Sequence, residues 1–166
     1  MGNQGTGHGN TNGNGESGLL ARVRRLEDIE AIQQVQHRYG FLLDEGVRQL
    51  GLAQATAQFK DLFTEDTNAD FGGFGVAQGR DGLGPIYEAF QASAVWTIHY
   101  ITNPLIEVNG DHATGKWNFH AMTIWAGKEA QGAQPLWGRY REEFTRTPAG
   151  FLIRSFVLVF DAPPAP

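Results

Sequence analysis

Two residues of this sequence, Asp44 and His99, are of types that move protons, and each stands where its type is unusual. Asp44 follows a long run of helical periodicity. An acidic side chain near a helix C-terminus is disfavoured by the helix dipole, at a cost of up to about 1 kcal/mol. His99 lies in the string TIHYITN, which predicts a strand. An imidazole can take up and return a proton near neutral pH. The alternatives are a solvated acid and a core histidine bonded to a backbone carbonyl.

Further polar residues lie close to these two in the sequence pattern. Strand alternation puts Asn103 on the same face as His99, which predicts a semi-polar patch among aliphatic side chains. Tyr39 lies on the apolar stripe of the helix, five residues before Asp44, either as a hydroxyl donor or as a half-buried aromatic side chain.

Two more candidates lie in later strands. Arg154 interrupts the apolar string FLIRSFVLV, and a buried arginine needs a partner. It either contacts a substrate or pairs with Glu142 or Glu143 of the preceding strand. His120 is flanked by Phe119 and Ala121, as a pocket residue or a core residue. The tryptophans suit either the core or a pocket for a flat hydrophobic molecule, and they are Trp96, Trp117, Trp125 and Trp137.

Composition excludes several classes of function. The 166 residues carry 13 Lys and Arg against 18 Asp and Glu, a net charge of −5, which argues against a nucleic acid or an anionic membrane as partner. The absence of cysteine excludes a disulfide framework and a cysteine nucleophile. No strict metal-ligand spacing is present, and the formal GxGxxG match at 13–18 has no strand before it, so we predict no metal and no cofactor. Without an apolar span or a visible secretion signal, a cytoplasmic location is expected.

The chain divides by composition into a tail and a body. Residues 1–18 are nearly all Gly, Asn and other polar types, and we predict that they are disordered. Residues 19–161 predict one domain, and residues 162–166 form a proline-rich end. Within the domain we predict a first helix from 19 to about 43–46 and helices over 52–63 and 82–93, with a break at 66–68 and a weak edge strand over 69–78. Long strands are predicted over 97–108, 112–125, 136–147 and 151–160, the first two joined by a hairpin turn at Asn109-Gly110-Asp111.

Helices followed by a strand meander predict an α+β fold. We expect N-terminal helices packed on a strongly curved antiparallel sheet, which leaves a cone-shaped pocket. The last strand is apolar on both faces, and helices cover one face only. We therefore predict a homo-oligomer, a dimer or a trimer, in which the other face is buried.

This element order and four local strings resemble the SnoaL-like branch of the nuclear-transport-factor-two-like superfamily. The strings are LEDIEAIQQVQHRYGFLLDEG, FKDLFTED, GRDGL and HYITNPLIEVNGDHATG, and the resemblance covers residues 19 to about 160. It is strongest to scytalone dehydratase, the bile-acid dehydratases and hexachlorocyclohexane dehydrochlorinase. The resemblance implies an α+β barrel with a hydrophobic pocket.

The resemblance also implies roles for single residues. Asp44 and His99 match the acid/base dyad of those enzymes, in which the carboxylate fixes the imidazole tautomer and stabilises the imidazolium. Tyr39 would donate to a carbonyl or a leaving group, and Arg154 would hold a substrate oxygen or leaving group. As substrate-binding residues we predict Asn103, Trp117, His120 and Trp125.

The expected function is a cofactor-independent lyase of the dehydratase type, or an isomerase, that acts on a small hydrophobic, cyclic molecule. The alternative is a noncatalytic protein: a binder of hydrophobic ligands, or a structural subunit such as the small subunit of an aromatic-ring dioxygenase. The fold alone does not distinguish them, because the family contains both kinds.

Overall fold

The computed structural model describes residues 12–161 of the chain, with side chains from residue 16. Its helices are α1 (Asn12–Phe41), α2 (Val47–Leu50), α3 (Leu52–Lys60) and α4 (Leu83–Ser93). Its strands are β1 (Phe63–Asp70), β2 (Val76–Gln78), β3 (Ala94–Asn109), β4 (His112–Trp125), β5 (Gln134–Thr147) and β6 (Gly150–Phe160). Short 3₁₀ turns lie at Gly72–Phe74, Arg80–Gly82 and Glu129–Gln131.

The first helix differs from the prediction at both ends. It starts within the predicted tail, at Asn12, because extending an existing helix costs far less than nucleating one. The rest of the predicted tail and the proline-rich end lie outside the described residues. At its C-terminal end α1 does not stop near Gly46. It passes through a π-helical turn at Leu42–Gly46 into α2, which ends at Gly51 with φ +81°.

The apolar stripe of α1 is only partly used. From Ile32 onward its inward side chains are buried against the sheet, including Gln36, Tyr39 and Leu42. The earlier members of the stripe are exposed, and they are Leu19, Val23 and Leu26. The sheet therefore packs against the C-terminal half of the helix, which is the half that carries the polar candidates.

The sheet has six strands in the order β2-β1-β6-β5-β4-β3. Neighbouring strands are antiparallel except β1 and β6, which run parallel. The α+β class with N-terminal helices on a sheet is confirmed. The sheet is mixed rather than wholly antiparallel, and it is not a closed barrel, because the edge strands β2 and β3 do not pair with each other.

The region between α3 and β2 corrects the prediction. We expected the helix to extend through residue 63 and the chain to break at 66–68. Instead α3 ends at Lys60, and residues 63 and 66–68 belong to β1. Phe63 pairs with Ile153 of β6, and Asn68 pairs with Ser155. This non-local pairing overrides the local helical pattern. The meander strands lie within three residues of their predicted bounds, and β4 matches at both ends.

Two β-bulges change which side chains face the helices. Asn103 has φ +55°, and the register between β3 and β4 shifts there. Arg154 is the extra residue where the register between β5 and β6 shifts. A bulge reverses the inside and outside faces for the rest of its strand. Phe156, rather than Val157, therefore shares the buried face with Ile153.

Two glycines make room for aromatic rings in the sheet. A Cβ placed on Gly115 would lie 1.9 Å from the ring of Trp117, and one on Gly138 would lie 2.4 Å from the ring of Phe119. Both rings are buried. The missing side chains therefore allow the two rings to lie flat on the sheet.

We expect Gly115→Ala to lower the free energy of unfolding by about 1–3 kcal/mol, because the indole of Trp117 must leave its site. Urea denaturation followed by tryptophan fluorescence measures the change. Gly73→Ala is the matched control, since a Cβ there meets nothing within 4 Å. Equal stability of the two variants would contradict the packing described for Gly115.

The outer face of the sheet carries exposed aromatic side chains, as expected of a face that is covered in a homo-oligomer. Trp137 and Tyr100 are exposed there. We expect light scattering at micromolar concentration to give the mass of two or three chains, and Trp137→Asp to lower that mass, because a charge opposes burial of this face. A wild-type monomer would contradict the prediction.

Candidate active site

The π-helical turn at Leu42–Gly46 aims the carboxyl group of Asp44 at the start of β3. Its Oδ1 lies 2.6 Å from Nδ1 of His99, and its Oδ2 accepts a hydrogen bond of 2.8 Å from the backbone N–H of His99. Both side chains are largely buried. One carboxyl group thus holds the ring and the backbone of the same residue. π-Helical turns inside α-helices frequently occur at functional sites.

The tautomer of His99 follows from this contact. A carboxylate is an acceptor only, so Nδ1 of the ring carries the proton that it shares with Asp44. The lone pair of Nε2 is then available to accept a proton. His99 also lines a cavity beneath the helices. The arrangement therefore offers an oriented base to a molecule that occupies this cavity.

The cavity lies between the helices and the inner face of the sheet, and its lining is mostly aromatic. Its volume is about 40 Å³, which is enough for ordered water but not for a ring compound. Rings of the lining must therefore move when a larger ligand enters. The lining residues are Tyr39, Leu43, Phe59, Phe71, Phe74, Ile86, Tyr87, Phe90, His99, Phe119, Leu136, Tyr140, Leu158 and Phe160.

Two tyrosine hydroxyls supply further polar groups. Tyr39 and Tyr140 are buried and hydrogen-bonded to each other, with ring centroids 5.7 Å apart. Burial raises the pKa of Tyr39 well above its usual range, and a negative charge on Tyr140 or Glu142 would act in the same direction. Burial likewise raises the pKa of Tyr140. Both phenols therefore keep their protons: one proton joins the pair, and the other is available to a group in the cavity.

Tyr140 is a candidate site residue that was not among those predicted from the sequence. Its signal was the alternation of β5, which puts Tyr140 on the buried face with Phe144. Tyr87 also lines the cavity, but its hydroxyl donates to the carbonyl oxygen of Leu42 at 2.6 Å. Burial raises the pKa of Tyr87 to about 12. Its role is to hold the start of the π-helical turn.

Two predicted site residues, Arg154 and Asn103, lie at β-bulges and away from the cavity. Arg154 is exposed on its bulge, and its nearest carboxylate is Asp66 at 3.6 Å, not Glu142 or Glu143. Asn103 is exposed on the other bulge. In both cases the bulge changes the direction that simple alternation predicts.

His120 is on the outer face of the sheet. Its ring stacks on that of Trp137 with centroids 5.5 Å apart, and on that of Tyr100 at 6.1 Å. Its Nε2 is buried and has no hydrogen-bond partner. His99 pairs with Ala121, and His120 is the residue next to Ala121 on β4. Because successive side chains of a strand point to opposite faces, His120 and His99 lie on opposite faces of the sheet.

Trp117 and Trp125, which we predicted to bind substrate, do not line the cavity. Trp117 is buried, lies over Gly115 and packs against Phe144. Trp125 packs on Phe74 and Phe90, which do line the cavity. Neither indole contacts the cavity itself.

Residues 12–161 contain no cluster of three or more His, Asp or Glu side chains that could hold a metal ion. In the same part of the chain, no helix has the length and apolar character needed to cross a membrane.

Comparison with known proteins gives a family and a set of similar structures. The model of the SnoaL-like domain family matches residues 24–157. No curated protein sequence matches the chain. A crystal structure of an NTF2-like protein with a cystatin-like fold, from Novosphingobium aromaticivorans, is 25% identical with a TM-score of 0.72, over 89% of this chain and 92% of that one.

Two structures of hexachlorocyclohexane dehydrochlorinase are also similar. LinA is 16% identical with a TM-score of 0.73, over 85% of this chain and 90% of its own. The type 2 form of LinA is 18% identical with a TM-score of 0.71, over 86% of this chain and 98% of its own. At these identities the likeness shows a shared fold.

Proposed function

The chain belongs to the SnoaL-like domain family, and on that premise we propose that it is a cofactor-independent lyase or isomerase of a small hydrophobic, cyclic substrate. The observation that carries the proposal is the 2.6 Å contact between Asp44 Oδ1 and Nδ1 of His99 at the wall of an apolar cavity. Proton transfer by such a positioned base contributes about 10²–10⁴-fold to a rate.

In the proposed reaction Nε2 of His99 removes a proton from a carbon atom next to a carbonyl or next to the carbon that bears the leaving group. Asp44 stabilises the imidazolium that forms. One hydroxyl of the Tyr39–Tyr140 pair donates to the other, and the remaining proton is donated to the oxygen on which negative charge develops. In an elimination, the imidazolium returns the proton to a departing hydroxyl group and water leaves. In an isomerisation, the proton returns to a different carbon.

The lining supports the class of substrate. Ten of the fourteen lining side chains are Phe, Tyr or His rings, and the rest are Leu and Ile. Aromatic walls with few polar groups select flat or cyclic apolar molecules and orient them through those few groups. The similarity to dehydrochlorinases, whose named substrate is a substituted cyclohexane, is consistent with this class.

The test is a screen of the chain against hydroxylated steroids and hydroxylated polycyclic aromatic compounds by liquid chromatography with mass spectrometry, which separates isomers and detects loss of water. We expect loss of water or isomerisation with the wild type and with His112→Ala, a control in which an exposed histidine is removed. His99→Ala should lack that activity. Ligands that bind to the wild type without any conversion would instead support the noncatalytic binder.

A further inference from the structure

A carboxyl group and an amide group meet in the interior behind the two tyrosines. Glu142 of β5 is 3% exposed, and Gln36 of α1 is 2% exposed. Nε2 of Gln36 donates a hydrogen bond to Oε1 of Glu142. Among the residues that the structure describes, the remaining oxygens of the same two groups, Gln36 Oε1 and Glu142 Oε2, are buried without a hydrogen-bond partner. Two unpartnered acceptors on two groups already bonded to each other need an explanation.

Glu142 has no cationic partner among the described residues. In the part of the chain that the structure describes, no lysine, arginine or histidine forms an ion pair with it. The titratable groups near it are the phenols of Tyr39 on α1 and Tyr140 on β5. Its strand neighbours, Gly115 on β4 and Phe156 on β6, have no titratable group.

We propose that Glu142 is a neutral carboxylic acid in the folded protein and donates its proton from Oε2 to Oε1 of Gln36. The acid and the amide then form a ring of two hydrogen bonds, and one proton satisfies both unpartnered oxygens. An ionised Glu142 would leave both oxygens unpaired and place an uncompensated charge in the core, which is strongly unfavourable. Burial raises the pKa of Glu142 well above its usual range, in agreement with this arrangement.

The pair is also placed to position the tyrosines, and this part rests on the proposed function. Gln36 and Tyr39 are three residues apart on α1, and Glu142 and Tyr140 are two apart on β5. Each member of the pair thus shares a face with one of the tyrosines. A negative charge on Glu142 raises the pKa of both phenols and weakens them as donors. The neutral pair joins the two elements and keeps such a charge away from the phenols.

Protonation of Glu142 predicts a particular dependence of stability on pH. Because the pKa of the folded state is raised, the stabilising contribution of the proton is complete below the ordinary glutamate pKa of about 4.3. It is lost as the pH rises from there through the folded-state pKa. In E142Q an amide replaces the acid and can form the same two bonds without a titrating proton. We expect the folding equilibrium constant of the wild type to fall about tenfold per pH unit relative to E142Q in this window.

The control is E143Q, which removes a carboxylate from the adjacent residue on the exposed face of the same strand. Its pH dependence should follow that of the wild type. Parallel urea-denaturation curves for the wild type and E142Q from pH 5 to 9 would overturn the proposal.

A measurement on the wild type keeps the proposal testable if E142Q does not fold. Carbon-13 NMR of chain labelled at the glutamate carboxyl carbons should show one resonance still in the protonated position at pH 7, and E143Q should retain it. Ionisation of all glutamates by pH 7 would overturn the proposal. Neither this experiment nor the denaturation needs a substrate, so both stand whatever the outcome of the activity screen.

The positioning role has its own readout with any substrate found in that screen. E142Q should retain kcat, and E142L, which cannot form either bond, should lower kcat about tenfold or more. The wild-type kcat should fall as the pH rises through the folded-state pKa of Glu142, and that of E142Q should not fall with it. Equal kcat for E142Q and E142L at every pH would overturn the positioning role while leaving His99 and Asp44 in place.

Discussion

His99→Ala should lower the turnover of any substrate that the wild type converts by about 10²–10⁴-fold, because it removes the proposed base. Asp44 contacts Nδ1 of His99 at 2.6 Å, so replacing its carboxyl group should also lower turnover. In Asp44→Asn the amide can donate to Nδ1 of His99. The ring then carries its proton on Nε2, the atom that should accept one, so turnover should fall to a similar degree.

The double variant separates a coupled pair from two independent residues. Groups that act as one unit show grossly non-additive effects, so the double variant should be hardly slower than His99→Ala alone. Steady-state kcat and KM of the wild type and the three variants measure this. Glu45→Gln, in the same π-helical turn but paired at the surface with Arg48, is the control for loss of a carboxylate. Wild-type turnover by His99→Ala would remove the dyad from the mechanism.

The tyrosine pair should have the next largest effect. Tyr39→Phe and Tyr140→Phe each remove one hydroxyl and keep the ring. Loss of one donor to a developing negative charge costs about 10²–10³-fold in kcat. The effect should fall on kcat more than on KM, because the charge exists only in the transition state. The raised pKa of both phenols adds an expectation for pH: below their ordinary value of about 10, neither should deprotonate and reduce turnover.

Tyr100→Phe is the matched control for this pair, since Tyr100 is exposed on the outer face of the sheet. Urea denaturation of all three variants separates loss of stability from loss of catalysis. If Tyr39→Phe and Tyr140→Phe both keep the wild-type kcat, the proposed donors are other groups, and only the role of the two rings in packing remains.

Local rules of sequence were sufficient for much of this molecule. Apolar periodicity predicted α1 and α4, and the turn Asn109-Gly110-Asp111 predicted the β3–β4 hairpin, in which Gly110 has φ +61°. The resemblance to the SnoaL-like branch is confirmed by the family match over residues 24–157. The resemblance also pointed to Asp44 and His99, which the structure brings into contact.

The remaining features depend on pairing between distant segments, which periodicity does not describe. A bulge is an extra residue that one strand accommodates against its partner, so neither the outward turn at Asn103 nor that at Arg154 is visible in a single strand. The parallel pairing of β1 with β6 overrides the helical pattern that extends to Phe63. The polar interior of Tyr140, Glu142 and Gln36 exists because α1 crosses β5 at that point. Only the tertiary structure decides which buried groups meet, because each is buried by a partner far away in the chain.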